Sequence, residues 1–118
     1  RGEKPKLLKS SSIKSFSDTV FATDTLEVLS DRERSVAERS RLIRLGGDCY
    51  IFSMLAMGLI HVVFEKGLKP YDIQALIPVI EGAGGVVTTL DGGNPSLGGS
   101  IVATANPELH EDVLRRLT

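Results

Sequence analysis

The sequence predicts an α/β fold, a layered mixed β-sheet with helices on both faces, and three observations carry that prediction. Short runs rich in β-branched and apolar residues alternate with amphipathic stretches along the chain, without internal repeats or low-complexity segments. The strongest run, residues 59–65, is almost continuously apolar, as in a strand covered on both faces. Start and stop chemistry recurs beside the amphipathic stretches: Ser30 with Glu33, Gly58, Pro70, and Asn106 with Pro107.

Each element can be justified in order. Residues 7–12 read as a short strand running into the serines at 10–12. Residues 19–23 form a second strand, bracketed by turn or cap chemistry at Ser17, Asp18, Asp24 and Thr25. A helix over 31–40 has Ser30 as N-cap and Glu33 three residues on, the spacing of a capping box. Its apolar face is only Val36 and Ala37, so it is expected at the periphery. Residues 42–45 are a short strand. Gly46 and Gly47 turn the chain, and Asp48 opens a helix to about Met57 that Gly58 ends. After the strand 59–65, residues 67–70 are read as a connection. A helix over 71–81 buries Ile73, Leu76, Ile77 and Ile80, and Pro78 inside it should bend it by removing one backbone bond. Residues 82–85 (Gly-Ala-Gly-Gly) are a tight helix-to-strand reversal, 86–90 a strand, 91–93 a turn, 94–99 a loop and 101–105 a strand. Asn106 caps a last helix that starts at Pro107 and ends near Leu117.

Composition narrows the function. The chain has 118 residues, 42% hydrophobic and 25% charged, enough for one domain with a modest core. Its net charge of −1 argues against nucleic acid as the main partner. The charge is uneven: ten of the 14 Lys and Arg residues lie in residues 1–44, a basic part that could draw phosphate or simply be solvated. The longest apolar stretch, 51–64, is interrupted by Ser53, Gly58 and His61 and is too short to span a bilayer, so no membrane role is expected. The single cysteine, Cys49, sits among apolar neighbours that suggest burial, excludes an internal disulfide and fits a reducing, cytoplasmic compartment. The start at Arg1, without Met, looks like the middle of a gene product.

Among residues that could carry chemistry, Asp72 stands out. It follows Pro70 by two residues at the start of a helical run, where the positive helix end favours a carboxylate. It can cap the helix or face outward and hold a cation. A turn into a helix at 46–48 offers N–H groups for an anion or polar substrate, and Arg44 can form a bidentate pair with phosphate or carboxylate. The alternatives there are an N-cap at Asp48 and a surface arginine. His61 reads as a satisfied core or edge residue, and His110 as exposed on the last helix. No His/Cys spacing suggests zinc and no Ser-His-Asp arrangement is apparent. The glycines at 82–85 follow a helix rather than precede one, which rules out a dinucleotide fingerprint.

Glu65, Gly67, the Pro-Tyr-Asp of 70–72 and the Glu-Gly-Ala-Gly-Gly of 81–85 resemble the C-terminal signature of the inositol monophosphatase superfamily. With Gly-Gly-Asp-Cys-Tyr at 46–50 and Lys-Pro-Tyr-Asp at 69–72, the chain is most similar to the histidinol-phosphate phosphatase branch, from about Leu7 to the C-terminus. The resemblance implies that residues 1–118 are the C-terminal half of a layered sandwich, with the N-terminal half absent. It implies a magnesium-dependent phosphatase in which water attacks a small phosphate monoester, here histidinol phosphate. Asp72 would be a Mg²⁺ ligand, and Arg44, Gly47, Asp48 and Glu65 would bind substrate. Asp48 suits a cationic amino group, and Glu65, if not a solvated strand end, the substrate's hydroxyl-bearing portion. The family's upstream Glu and its Asp-Pro-x-Asp-Gly-Thr element do not occur in the chain. No residue present is therefore assigned a catalytic role, and the chain alone is expected to be inactive. Expected partners are the small phosphorylated substrate, the missing half and, as a homo-oligomer, further copies. Two alternatives remain: a phosphatase of inositol or sugar phosphates, and a noncatalytic fragment or interaction domain.

Overall fold

A computed structural model describes residues 9–46 and 50–118. It has one five-stranded mixed sheet between two helical layers. In chain order the elements are β1 (Val20–Thr23), α1 (Asp31–Glu38), β2 (Leu42–Leu45), α2 (Tyr50–Ala56), β3 (Val62–Leu68), α3 (Pro70–Gln74), α4 (Ile77–Gly82), β4 (Val86–Thr89), β5 (Gly99–Thr104) and α5 (Pro107–Leu117). The sheet order is β2-β1-β3-β5-β4. β1 pairs in parallel with β2 and β3, while β5 runs antiparallel to both β3 and β4. The carboxyl ends of β1, β2, β3 and β4 therefore share one edge.

Period-two alternation divides the core. Val20, Ala22, Val63, Val87, Ile101 and Ala103 point to one face and pack with Ile51, Leu55, Ile73 and Ile80 from α2, α3 and α4. Phe21, Val62, Phe64 and Val102 point to the other and pack with Val36, Ala37, Leu109 and Val113 from α1 and α5. β3 is buried along its first four residues, as its apolar run predicts.

The caps form as the sequence reads them. Ser30 Oγ accepts from the Glu33 N–H at 3.1 Å while Glu33 accepts from the Ser30 N–H at 2.8 Å. Asn106 Oδ1 accepts from the Leu109 N–H at 2.9 Å, with Pro107 in the first turn. Residues 82–85 make the expected reversal, with the Gly84 N–H on the Glu81 carbonyl.

Several expectations are corrected. Residues 9–12 are not a strand: Ser10 spends its N–H on Ala83 O and its hydroxyl on Ala83 O and Ala105 O, docking the segment edge-on. The central strand starts at Val62 rather than 59, because the His61 N–H bonds Val20 O in the approach to the sheet. It also runs on through the supposed connection to Leu68, over a bulge at 65–68 in which Gly67 takes φ 77°. The single helix expected over 71–81 is two. Pro78 stands in the first turn of α4, so the bond it cannot donate falls at the break rather than bending a continuous helix. The loop at 94–99 contains a 3-10 turn (Pro95–Leu97) capped by Asn94, and Gly99 already belongs to β5. His110 is buried, not exposed.

Candidate active site

The bulged end of β3 positions the site. β3 carries Glu65 opposite Ile101 of β5, and Glu65 is 7% exposed. The chain then crosses the bulge, passes Lys69 and enters α3 at Pro70, which brings Asp72 into the first helical turn. Ile73, fully buried, pins α3 to the core. Lys69 is the N-cap and its side chain makes no capping bond. Among the described residues the Asp72 carboxylate accepts no hydrogen bond and makes no ion pair; it stands in the first turn of α3, at the positive end of the helix. Asp72 is half-buried at the sheet's carboxyl edge.

Arg44 approaches the same edge from β2. It pairs with Ala22 of β1, which pairs in turn with Val63 of β3. Arg44 and Glu65 thus share the sheet face that α2, α3 and α4 cover, since Ala22 and Val63 both belong to that core. Glu65 lies two strands across and two residues along, about 12 Å from Arg44 by ordinary strand spacing. That span accommodates a small phosphorylated molecule. Arg44 is exposed on an edge strand, free to reorient. Gly47, Asp48 and Cys49 lie outside the described residues; Gly46, which precedes them, bonds Thr23 O and Asp24 O at the end of β1. The edge is the place where ligands bind in open α/β sheets, outside the carboxyl ends of the strands.

Two positioning residues were not foreseen. A Cβ at Gly98 would lie 2.2 Å from Leu68 O, so only glycine lets the start of β5 press against the strand end that leads to Asp72. Gln74 Nε2 donates to Ser96 O at 2.7 Å and ties α3 to the same loop. A glycine pair and a helical glutamine give no sequence signal for contacts this distant in the chain.

The histidines do not join the site. His61 Nδ1 accepts from the Val20 N–H at 2.8 Å, a satisfied buried residue whose pKa burial lowers, with Arg41 adding to the effect. His110 bridges β4 and β5, with Nε2 at 2.8 Å from Thr88 Oγ1 and Nδ1 at 2.9 Å from Thr104 Oγ1. Burial lowers its pKa to about 4. Among the described residues no three His, Cys, Asp or Glu side chains cluster to hold a metal ion. Asp72 on its own offers one oxygen vertex, which suits a hard cation such as magnesium that keeps several waters.

A family model described as the inositol monophosphatase family matches residues 3–118. The chain belongs to the inositol monophosphatase family. Among curated relatives it is 36% identical over 91 residues to the chloroplastic bifunctional phosphatase IMPL2 of Arabidopsis thaliana, covering 70% of this chain and 26% of that one. It is 40% identical over 75 residues to a histidinol-phosphatase of Mycobacterium tuberculosis, covering 64% and 28%. Among solved structures, the inositol monophosphatase of Zymomonas mobilis superposes with a TM-score of 0.85 at 28% identity, over 93% of this chain and 46% of that one. An IMPase/NADP phosphatase complexed with Mg²⁺ and phosphate gives 0.82 at 25% identity, over 97% and 44%. The chain thus spans less than half the length of these structures and about a quarter of the length of these relatives. The layered α/β fold and the superfamily expected from the motifs both hold. No helix among the described residues is long and apolar enough to cross a membrane.

Proposed function

We propose that residues 1–118 are the C-terminal α/β domain of a magnesium-dependent phosphatase that hydrolyses a small phosphate monoester, histidinol phosphate to histidinol, with water as the nucleophile. The observation that carries this reading is the placement of Asp72: half-buried, uncapped, in the first turn of α3, at the sheet edge that Arg44 and Glu65 also approach. A divalent ion bound there would polarise the phosphoryl group and lower the pKa of its water. Asp72 would hold one such ion, its partners being supplied by an N-terminal half of the same fold. Arg44 would clamp an anionic group, and Glu65 would accept from a substrate hydroxyl. Gly47 would offer its backbone N–H, and Asp48 would pair with the ammonium of an amino alcohol. Several lines support the reading: the family, the histidinol-phosphatase relative, and a neighbour complexed with Mg²⁺ and phosphate.

The substrate assignment turns on Asp48. In the intact enzyme, turnover of histidinol phosphate should exceed that of inositol 1-phosphate, and Asp48→Asn should raise KM for histidinol phosphate selectively. Equal turnover of both would overturn the substrate, and release of phosphate from neither, with magnesium present, would overturn the phosphatase. The 118-residue chain alone should release none.

One observation favours a second reading, a noncatalytic interaction domain: among the described residues no metal cluster is complete. Magnesium binding by the intact protein that Asp72→Asn abolishes would dismiss it. Self-association is part of either reading, since the edge strand β2 exposes Leu42 and Leu45 by 54% and 53%.

A further inference from the structure

We propose that the groove between α1 and the last turn of α5 binds a small, multiply charged oxyanion, at a site separate from the Asp72 edge. The groove encloses about 310 Å³ and is lined by Arg32, Ser35, Val36, Arg39 and Arg116. Residues 32, 35, 36 and 39 fall on one face of α1 by helical spacing, so their convergence on α5 follows from the sequence of that helix. Val36, 7% exposed, forms an apolar floor. Arg32, Arg39 and Arg116 line the groove around it, and guanidinium forks match the oxygens of phosphate and carboxylate groups.

Two of the three are already held in place. Arg116 lies 4.7 Å over the Phe16 ring, and its Nε donates to Asp112 Oδ2 at 3.1 Å. Arg32 Nε donates to the Arg116 carbonyl at 3.2 Å, which ties the Arg32 side chain to the last turn of α5 and leaves its terminal nitrogens for a ligand. Arg39, one row along α1, makes no ion pair among the described residues. A ligand therefore meets a preorganised pair and one arm that can close, which limits the ordering cost of binding.

The opposing charges are few. Asp112 neutralises Arg116 and also lies 3.6 Å from Arg115, and the carbonyl end of α5 adds a partial negative charge. Glu33 faces Lys66 at 2.8 Å instead. Asp31 and Glu38 flank this face beside Ser35, but among the described residues neither makes an ion pair with Arg32 or Arg39. Arg32 and Arg39 keep the groove positive. An anion bridging them would relieve their mutual repulsion, an effect that salt weakens because both arginines are exposed.

Inorganic pyrophosphate is the probe, titrated calorimetrically into the full chain without divalent metal and at constant ionic strength. Saturable binding should appear. It should weaken at least tenfold in Arg39→Gln and in Arg32→Gln, and be unchanged in Lys14→Gln, which removes one exposed cation outside both sites. The Arg39 side chain makes no ion pair among the described residues, so its variant reads the site even where Arg32→Gln loosens α5. Absence of saturable heat, binding indifferent to Arg39→Gln, or binding lost equally in Lys14→Gln would each overturn the proposal. None of these outcomes depends on the phosphatase reading.

Discussion

The two faces of the sheet are built differently. On one, α1 and α5 are the longer helices, and each starts with a side-chain cap: the Ser30–Glu33 box and Asn106. On the other, α3 and α4 run five and six residues, and neither has a side-chain cap. That second layer also leaves Tyr50 and Tyr71 exposed by 63% and 74%. The candidate site belongs to it. Helices that short hold their shape by anchoring single residues in the core rather than by local preference, so they form the part of the fold that opens most readily. Asp72, the candidate ligand, is thus mounted on the layer with the shorter, uncapped helices, and the opposite layer carries the side-chain caps.

The largest effect should come from core anchors on the two faces. Leu109→Ala on α5 should lower global stability by roughly 3 kcal/mol, within the range for buried leucines. Ile73→Ala on α3 should instead raise hydrogen exchange in α3 and α4 well before the chain unfolds. Identical global losses, with no local opening, would erase the distinction. His110 tests the capped face by pH. Its folded pKa of about 4 lies below the ordinary value of 6.5, so the fold favours the neutral ring. The stability it contributes is present above pH 6.5 and is lost as pH falls toward 4, by roughly 3 kcal/mol in all. His110→Gln should flatten thermal melts across that window, and a wild-type melt already flat there would contradict the latch between β4 and β5.

Smaller changes sharpen the comparison. Asn106→Ala removes the α5 cap and two bonds from Asn106 Nδ2 to Ser11 O and Ile13 O, and should cost about 1–2 kcal/mol in denaturant titrations. At the bottom of the scale, Lys14 and Glu108 pair at 3.0 Å but are 60% and 69% exposed. Lys14→Ala should shift stability by less than about 0.5 kcal/mol, and a larger shift would assign the N-terminal segment more of the fold than its contacts suggest.

Local signals in the sequence were read well and distant ones poorly. Ser30, Asn106 and Pro107 act within one helical turn, and their caps appear where the spacing puts them. The apolar run into Glu65 marks the central strand, but its ends depend on partners: His61 is diverted by Val20 O, and Leu68 is recruited by Gly99 of β5. His110 looked polar and exposed because its two threonine partners lie in separate strands. The position of Asp72 in the first turn of a helix was legible from Pro70 and the helical run behind it. The Gly98 approach and the Gln74 tie that hold its helix were not, since both are made across the chain.

The account rests on Asp72 as a metal ligand rather than a helix cap. Turnover and magnesium half-saturation of Asp72→Asn should be measured in the intact protein beside His61→Gln. Turnover should fall by about a hundredfold or more with a raised magnesium requirement in the first, and hold near wild type in the second. Equal losses in both, or an unchanged magnesium requirement in Asp72→Asn, would contradict it.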